Sequence, residues 1–331
     1  MISGLRLSLD ECRPGREGQP ALMNTPPPER KSGITIPVVL ARVFPTVTIR
    51  AMVATLFAIS LTGCSGLFFF PAKELSRTPT ELGLEYEGIE LTAADGTGLH
   101  AWWLPAVEQS RGTILFLHGN AENISTHIHN VRWLPARGYQ VLLLDYRGYG
   151  RSAGKPRLPD IFLDIDAAVS WLAEAPETAG QPLFILGQSI GASLMLYAAT
   201  GYLDQPGLCG LISDAAFTGY GDIGQHVAAQ SWLTWPIQYP FGWALIDGYD
   251  PIAAVAQLEL LPILFFHSRD DEIIPFASLD ELVGQHPGAS QRVETNGPHT
   301  ATFNMQVNRQ ILLEFLANNR CTDDNNAAAH K

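Results

Sequence analysis

The chain has 331 residues, of which 46% are hydrophobic and 16% are charged. This length and composition predict one domain with a sizeable buried core, together with segments outside it. The formal net charge of −12 at pH 7 argues against nucleic acid as a partner, because binding to phosphate groups requires a basic surface.

The first fifty residues differ in composition from the rest of the chain. They contain three prolines at 26–28 and scattered arginines, and no apolar period is sustained. This composition predicts a disordered leader, or sequence upstream of a later start. Arg50 is then followed by an uncharged apolar run at 51–61, which leads into the sequence LTGC at residues 61–64.

The sequence LTGC resembles the lipobox of bacterial lipoproteins. In those proteins the cysteine thiol receives a diacylglycerol, so the resemblance implies lipidation of Cys64 and removal of residues 1–63 with the signal peptide. Several acyl chains give durable anchoring. We therefore expect a membrane-anchored lipoprotein of the bacterial cell envelope that faces the periplasm, with a membrane-proximal linker at 64–81. The alternative is an N-terminal signal anchor, because residues 51–72 are uncharged and long enough to span a bilayer.

Residues 82–319 have the patterning of a single α/β domain. Two alternating strands joined by Asp95-Gly96 are typical of a β-hairpin. Unbroken apolar runs then alternate with helical segments, and such runs predict strands buried on both faces of a mostly parallel sheet covered by helices. The predicted strands lie at 112–119, 139–148, 181–187, 207–215 and 261–268, and the predicted helices at 161–175, 191–203 and 304–319. Residues 320–331 are expected to be a disordered tail.

Residues 217–249 interrupt this rhythm with aromatic residues and no clear strand. They include Trp232, Trp235, Tyr239, Phe241 and Trp243. An insertion of this kind between two strands predicts a small lid. The alternative is that the aromatic side chains pack at the edge of the sheet.

The segment LFILGQSIGASLML, residues 183–196, places Ser189 between a predicted strand and a predicted helix. Its centre, GQSIG, matches G-x-S-x-G, in which the glycines permit a sharp and strained turn at the serine. The motif alone can occur by chance, but here it has the strand and helix context that it requires. Ser189 is therefore a candidate nucleophile, which needs a base, an orienting acid and oxyanion donors.

Two loops downstream carry candidate partners in the expected order of serine, acid and histidine. Asp270 and Asp271 follow the predicted strand at 261–268, and catalytic groups gather at the carboxyl ends of strands in open α/β sheets. His299 lies in a loop before the last helix. From the residues alone the acid could be Asp271, Asp270 or Asp214.

The segments FLHGNAEN, LDYRGYGRSAGKP, GQSIG, FFHSRDDEIIP and NGPHTATF resemble, in this order, those of α/β-hydrolases of the serine aminopeptidase-like or esterase-like kind. The resemblance covers residues 82–319 and implies the α/β-hydrolase fold. It also implies a triad of Ser189, Asp271 and His299, because the acid of this family lies four residues after a histidine that corresponds to His267.

The same resemblance implies two further roles. The oxyanion donors would be the backbone N–H groups of Asn120, which follows the HG of FLHG, and of Ile190, which follows the serine. His118 would be a structural histidine that shapes the loop.

The leading prediction is a membrane-anchored serine hydrolase that cleaves a small-molecule ester, thioester or amide through an acyl-enzyme. The alternatives are a peptidase of the aminopeptidase type and a non-catalytic envelope protein that retains the fold for binding. No motif indicates a cofactor or a metal, since His127 and His129 lack carboxylates at metal-binding spacing. We also expect no disulfide between Cys209 and Cys321.

Overall fold

The apolar runs of the sequence form the strands of a central sheet. The computed structural model of the chain describes residues 68–230, 239 and 248–321. The strands in these residues are β1 (Phe70–Pro71), β2 (Glu87–Thr92), β3 (Gly98–Leu104), β4 (Gly112–Leu117), β5 (Ala121–Glu122), β6 (Tyr139–Asp145), β7 (Leu183–Gln188), β8 (Leu208–Asp214), β9 (Ile263–Ser268) and β10 (Ser290–Thr295).

Eight of these strands pair in the order β10-β9-β8-β7-β4-β6-β3-β2. Neighbours are parallel except at β3, which is antiparallel to both β2 and β6. The predicted hairpin and the predicted parallel sheet are both confirmed. Because the parallel strands share one direction, the loops that follow β4, β7, β8 and β9 all meet at one end of the sheet.

Two apolar cores cover the two faces of this sheet. Ile114 and Phe116 of β4 belong to one core, and Leu115 and Leu117 belong to the other, because successive side chains of a strand point to opposite faces. This arrangement explains why the central strands read as unbroken apolar runs.

Helices fill the connections between the strands. In the described residues they are α1 (Ile124–His127), α2 (Ile161–Glu174), α3 (Ile190–Ala198), α4 (Tyr220–Ala229), α5 (Pro251–Val255), α6 (Ala277–Gln285) and α7 (Gln306–Asn318). The three predicted helices are confirmed as α2, α3 and α7, although α3 is shorter than predicted. Over the described residues, no helix has both the length and the apolar character needed to cross a membrane.

The segment predicted as a linker at 64–81 is instead packed on the domain wherever the structure describes it. Its strand β1 pairs with β5, the side chain of Phe69 is buried, and the ring of Phe68 lies edge-on to Tyr220 at 5.3 Å. The reason is chemical, since packing of this segment removes Phe69, and part of Phe68, from water. The domain therefore begins before residue 82.

Two other expectations concern the far end of the domain and its insertion. Cys209 and Cys321 form a disulfide, so the expectation that they stay unpaired is wrong, and the tail is held to the domain at its second residue.

Helix α4 occupies the start of the predicted lid at 217–249. Most of the remainder, with its three tryptophans, lies outside the described residues, and the lid stays a prediction.

Candidate active site

Ser189 occupies the turn between β7 and α3 in a strained conformation. Its φ of 55° and ψ of −123° lie outside the regions that side-chain-bearing residues favour. Glycine is required on both sides, because an added Cβ would lie 2.5 Å from the Cα of Ala192 at Gly187 and 2.2 Å from the carbonyl oxygen of Leu117 at Gly191. The G-x-S-x-G pattern is thus a steric requirement of this turn, which places Ser189 at a cavity wall.

His299 is held by a buried carboxylate. Its Nδ1 lies 2.6 Å from Oδ2 of Asp271, whose side chain has no exposed surface. The other oxygen, Oδ1, accepts the N–H groups of Ile273 and Ile274, each at 2.9 Å. Burial opposes ionisation of Asp271. The hydrogen bond and charge of His299, together with the two N–H groups, outweigh burial and hold the pKa of Asp271 below its usual value. Nδ1 is therefore the donor, and Nε2 is the nitrogen that can accept a proton.

The competing acids have other partners. Oδ2 of Asp270 accepts the N–H of Gly297 at 3.0 Å, so Asp270 secures the loop that carries His299. Asp214 is fully buried and accepts hydrogen bonds from Thr302 and Gln188, both at 2.7 Å. Burial raises the pKa of Asp214 to about 6. Of the three candidate acids, Asp271 is the one that contacts the imidazole of His299.

Both predicted oxyanion donors line the same cavity as Ser189 and His299. Ile190 is the first residue of α3, and an N–H in that position has no acceptor within its helix. Asn120 is held by two hydrogen bonds. Its carbonyl oxygen accepts the hydroxyl of Tyr149 at 2.7 Å, and its side-chain oxygen accepts the N–H of Phe70 at 3.0 Å.

His118 supports the loop from behind and does not line the cavity. Its Nδ1 lies 2.7 Å from the carbonyl oxygen of Gly119, and its own carbonyl accepts the hydroxyl of Tyr146 at 3.1 Å. Burial lowers the pKa of His118 well below its usual value and so favours the neutral ring. Tyr146 and Tyr149 were missed by sequence reasoning. Their position just after a buried strand could have indicated this role. The hydroxyl group of a buried tyrosine needs a hydrogen-bond partner.

The cavity has a volume of about 750 Å³, within the range of small-molecule sites. His127 also lines it, with Nε2 at 2.9 Å from the carbonyl oxygen of Ala121, and this position was not predicted. A second cavity of about 750 Å³ lies at the opposite end of the sheet, beside Arg111 and Cys321, and none of the predicted site residues lines it.

Known proteins resemble this chain in both sequence and fold. The chain is 30% identical over 219 residues to the alpha/beta hydrolase domain-containing protein WAV2 of Arabidopsis thaliana, a match that covers 62% of this chain and 68% of that protein. The chain belongs to the α/β-hydrolase superfamily. This α/β-hydrolase is also 29% identical over 267 residues to the uncharacterized protein YfhR of Salmonella typhi, with 75% of this chain and 86% of that protein covered.

The fold of this α/β-hydrolase resembles that of the esterase Pf2001 of Pyrococcus furiosus. The TM-score is 0.60 at 24% identity, over 76% of this chain and 97% of that one. The profile of the family described as serine aminopeptidase, S33 matches residues 108–235. By family the protein is a hydrolase. The profile match includes Asn120, Ser189 and Ile190 but ends before Asp271 and His299, which the structure brings to the same end of the sheet.

Cys64, the predicted site of lipidation, lies outside the described residues. Lipidation, membrane attachment and localisation therefore stay predictions.

Proposed function

We propose that this α/β-hydrolase cleaves carboxylic esters through an acyl-enzyme formed on Ser189, with His299 as base and Asp271 as the orienting acid. One observation carries the proposal: a strained serine and a histidine bonded to a buried carboxylate line the same cavity. A protein that used the fold only for binding would require neither the strain at Ser189 nor the buried Asp271.

The chemistry follows from these positions. His299 Nε2 takes the proton of the Ser189 hydroxyl as its oxygen attacks the carbonyl carbon of the substrate, and Asp271 stabilises the imidazolium that results. The N–H groups of Asn120 and Ile190 donate to the oxyanion of the tetrahedral intermediate. The imidazolium then protonates the leaving alcohol, water attacks the acyl-enzyme by the reverse sequence, and the carboxylic acid is released.

Ester cleavage is favoured over peptide cleavage by the chemistry of the cavity. An aminopeptidase needs an anionic group that faces the ammonium group of its substrate. Apart from the triad, Glu122 is the single carboxylate among the described residues of the cavity wall, and it lies exposed at the rim. The structural neighbours include the esterase Pf2001, which supports an ester substrate here.

The test is covalent labelling by a fluorophosphonate probe, followed by mass spectrometry of the labelled peptide. We expect one adduct on Ser189 of the wild-type protein and none on Ser189→Ala. Ser278→Ala is the matched control, because Ser278 is a buried serine of α6 that does not line the cavity, and it should not affect labelling. A folded wild-type protein that stays unlabelled would contradict the proposal.

We also propose that Cys64 is lipidated and that the enzyme works at the membrane of the cell envelope. The Cys209–Cys321 disulfide supports an exported protein, because disulfides persist in oxidising compartments such as the periplasm. Metabolic labelling with a fatty-acid analogue should mark the wild-type protein and not Cys64→Ser. Equal labelling of the two proteins would reject this assignment.

A further inference from the structure

The cavity beside Ser189 is apolar on most of its surface. Its walls come from separate parts of the chain: Phe68 and Phe70 from the segment around β1, Ile223 and Val227 from α4, and Ile273 from the loop after β9. No lysine or arginine is among the described residues that line it. A carboxylate or phosphate on a bound substrate would therefore lose its water without gaining a cationic partner.

The same apolar surface continues to the outside at the rim of the cavity. Phe70, Val227 and Ile273 are 65%, 50% and 48% exposed. Among the described residues only eight large hydrophobic side chains are exposed, and these three lie on different elements around a single opening. Exposed apolar side chains that cluster around a cavity mark a surface that meets an apolar ligand.

The wall that carries Phe68 and Phe70 is firmly built. The N–H of Ala72 donates to the carbonyl oxygen of Glu122 at 3.1 Å, which continues the pairing of β1 with β5. The carbonyl oxygen of Ala72 accepts the N–H of Gly150 at 2.9 Å and the side-chain amide of Asn123 at 3.0 Å. These bonds hold the phenylalanines beside the residues that would receive the oxyanion.

We propose that this cavity binds the acyl chain of the substrate, and that the substrates are esters of uncharged aliphatic acids longer than butyrate. This inference rests on the proposed function of Ser189. The chain would lie between Phe68, Ile223 and Val227, with its carbonyl carbon at Ser189. Each methylene group that leaves water on binding should raise kcat/KM by about fourfold, until the cavity is filled.

The test compares p-nitrophenyl acetate, butyrate and octanoate with purified enzyme. We expect kcat/KM to rise from acetate to octanoate in the wild-type protein. In Val227→Asn we expect kcat/KM to fall by about fivefold to tenfold more for octanoate than for acetate. Asparagine adds no charge that could alter His299.

Val307→Asn is the matched control, because Val307 is a valine of similar exposure, 55%, on α7 outside the cavity. Val307→Asn should leave kcat/KM unchanged for both acetate and octanoate. A flat chain-length profile, or equal losses on acetate and octanoate in Val227→Asn, would overturn the acyl-chain assignment while leaving the esterase intact. Failure of the proposed function would look different, since no ester would be cleaved and no probe adduct would form.

Discussion

At the scale of single residues, the site depends on the hydrogen-bond donors that surround the carboxylate of Asp271. Asp271 accepts the imidazole N–H and two backbone N–H groups, so its charge is fully compensated in a place that water does not reach. The neighbouring Asp270 is exposed and bonds a backbone N–H of the loop instead. Two adjacent carboxylates thus have separate tasks, one on the imidazole and one on the loop that carries it.

This difference predicts unequal effects of two isosteric substitutions. Asp271→Asn should lower kcat for ester hydrolysis by about 10,000-fold, because an amide leaves the imidazole in the wrong tautomer and does not compensate the imidazolium. The measurement is steady-state hydrolysis of p-nitrophenyl acetate. Asp270→Asn is the control and should retain most of the activity. A larger loss in Asp270→Asn than in Asp271→Asn would show that the acid has been misassigned.

Residue-scale features were predictable where a short pattern has a steric or geometric reason. The glycines around Ser189 predict a turn that tolerates no Cβ. The choice of Asp271 among three candidate acids came instead from the family resemblance, because the residues alone left the three open. The support of Asn120 by Tyr149 was not predictable, because the two residues are far apart in sequence and nothing in either local pattern specifies the pairing.

At the scale of elements, the most consequential feature is the short pairing of β1 with β5. A strand of two residues has no hydrophobic period to recognise, and its partner lies about fifty residues further on, so local patterning gave no sign of it. Asn123 then fastens the segment. Its buried side chain donates to the carbonyl oxygens of Ala72 and Glu74, at 3.0 and 2.8 Å, and accepts the N–H of Ser125.

Removing this amide should loosen the N-terminal wall. We expect Asn123→Ala to lower the free energy of unfolding by about 1–3 kcal/mol, since two carbonyl groups and the start of α1 lose their partner. Limited proteolysis of the folded protein should then cut residues 68–76 faster than in the wild-type protein.

Asn308→Ala serves as its control, because Asn308 is a buried asparagine of α7 whose side chain donates to the carbonyl oxygen of Thr302 and not to residues 68–76. It should reduce stability without exposing residues 68–76. Similar cleavage of this segment in both variants would indicate general destabilisation and no specific role of Asn123.

At the scale of the whole molecule, the two ends of the sheet are stabilised differently. The carboxyl ends of the strands carry the cavity, while the disulfide joins the start of β8 to the chain just after α7, 112 residues later. A cross-link that closes so long a loop restricts the unfolded chain strongly. Its distance from the cavity separates its effect on stability from any effect on catalysis.

Cys321→Ser should therefore lower the free energy of unfolding by about 2–4 kcal/mol and leave kcat on p-nitrophenyl acetate nearly unchanged at 25 °C. Urea unfolding with and without a reducing agent is the measurement. The wild-type protein under reducing conditions should match the variant, and the variant should not respond to the reductant. Equal stability of the oxidised wild-type protein and the variant would contradict the prediction.

The parallel sheet and its covering helices were predictable from the alternation of apolar runs and helical periods along the chain. The disulfide was not, because the spacing of cysteines carries no information on distance in the folded chain. The boundary at residue 82 was placed too late for a related reason. The residues before it gain their structure from contacts with β5 and with Tyr220, and not from their own pattern.

The position of Phe68 in the cavity wall bears on how a substrate arrives. Phe68 lies four residues after Cys64, and four fully extended residues span at most about 14 Å. With acyl groups on Cys64, Phe68 would stay within that distance of the residue attached to the bilayer. A hydrophobic ester would then have a short path from lipid to the cavity, which would favour substrates that partition into the membrane.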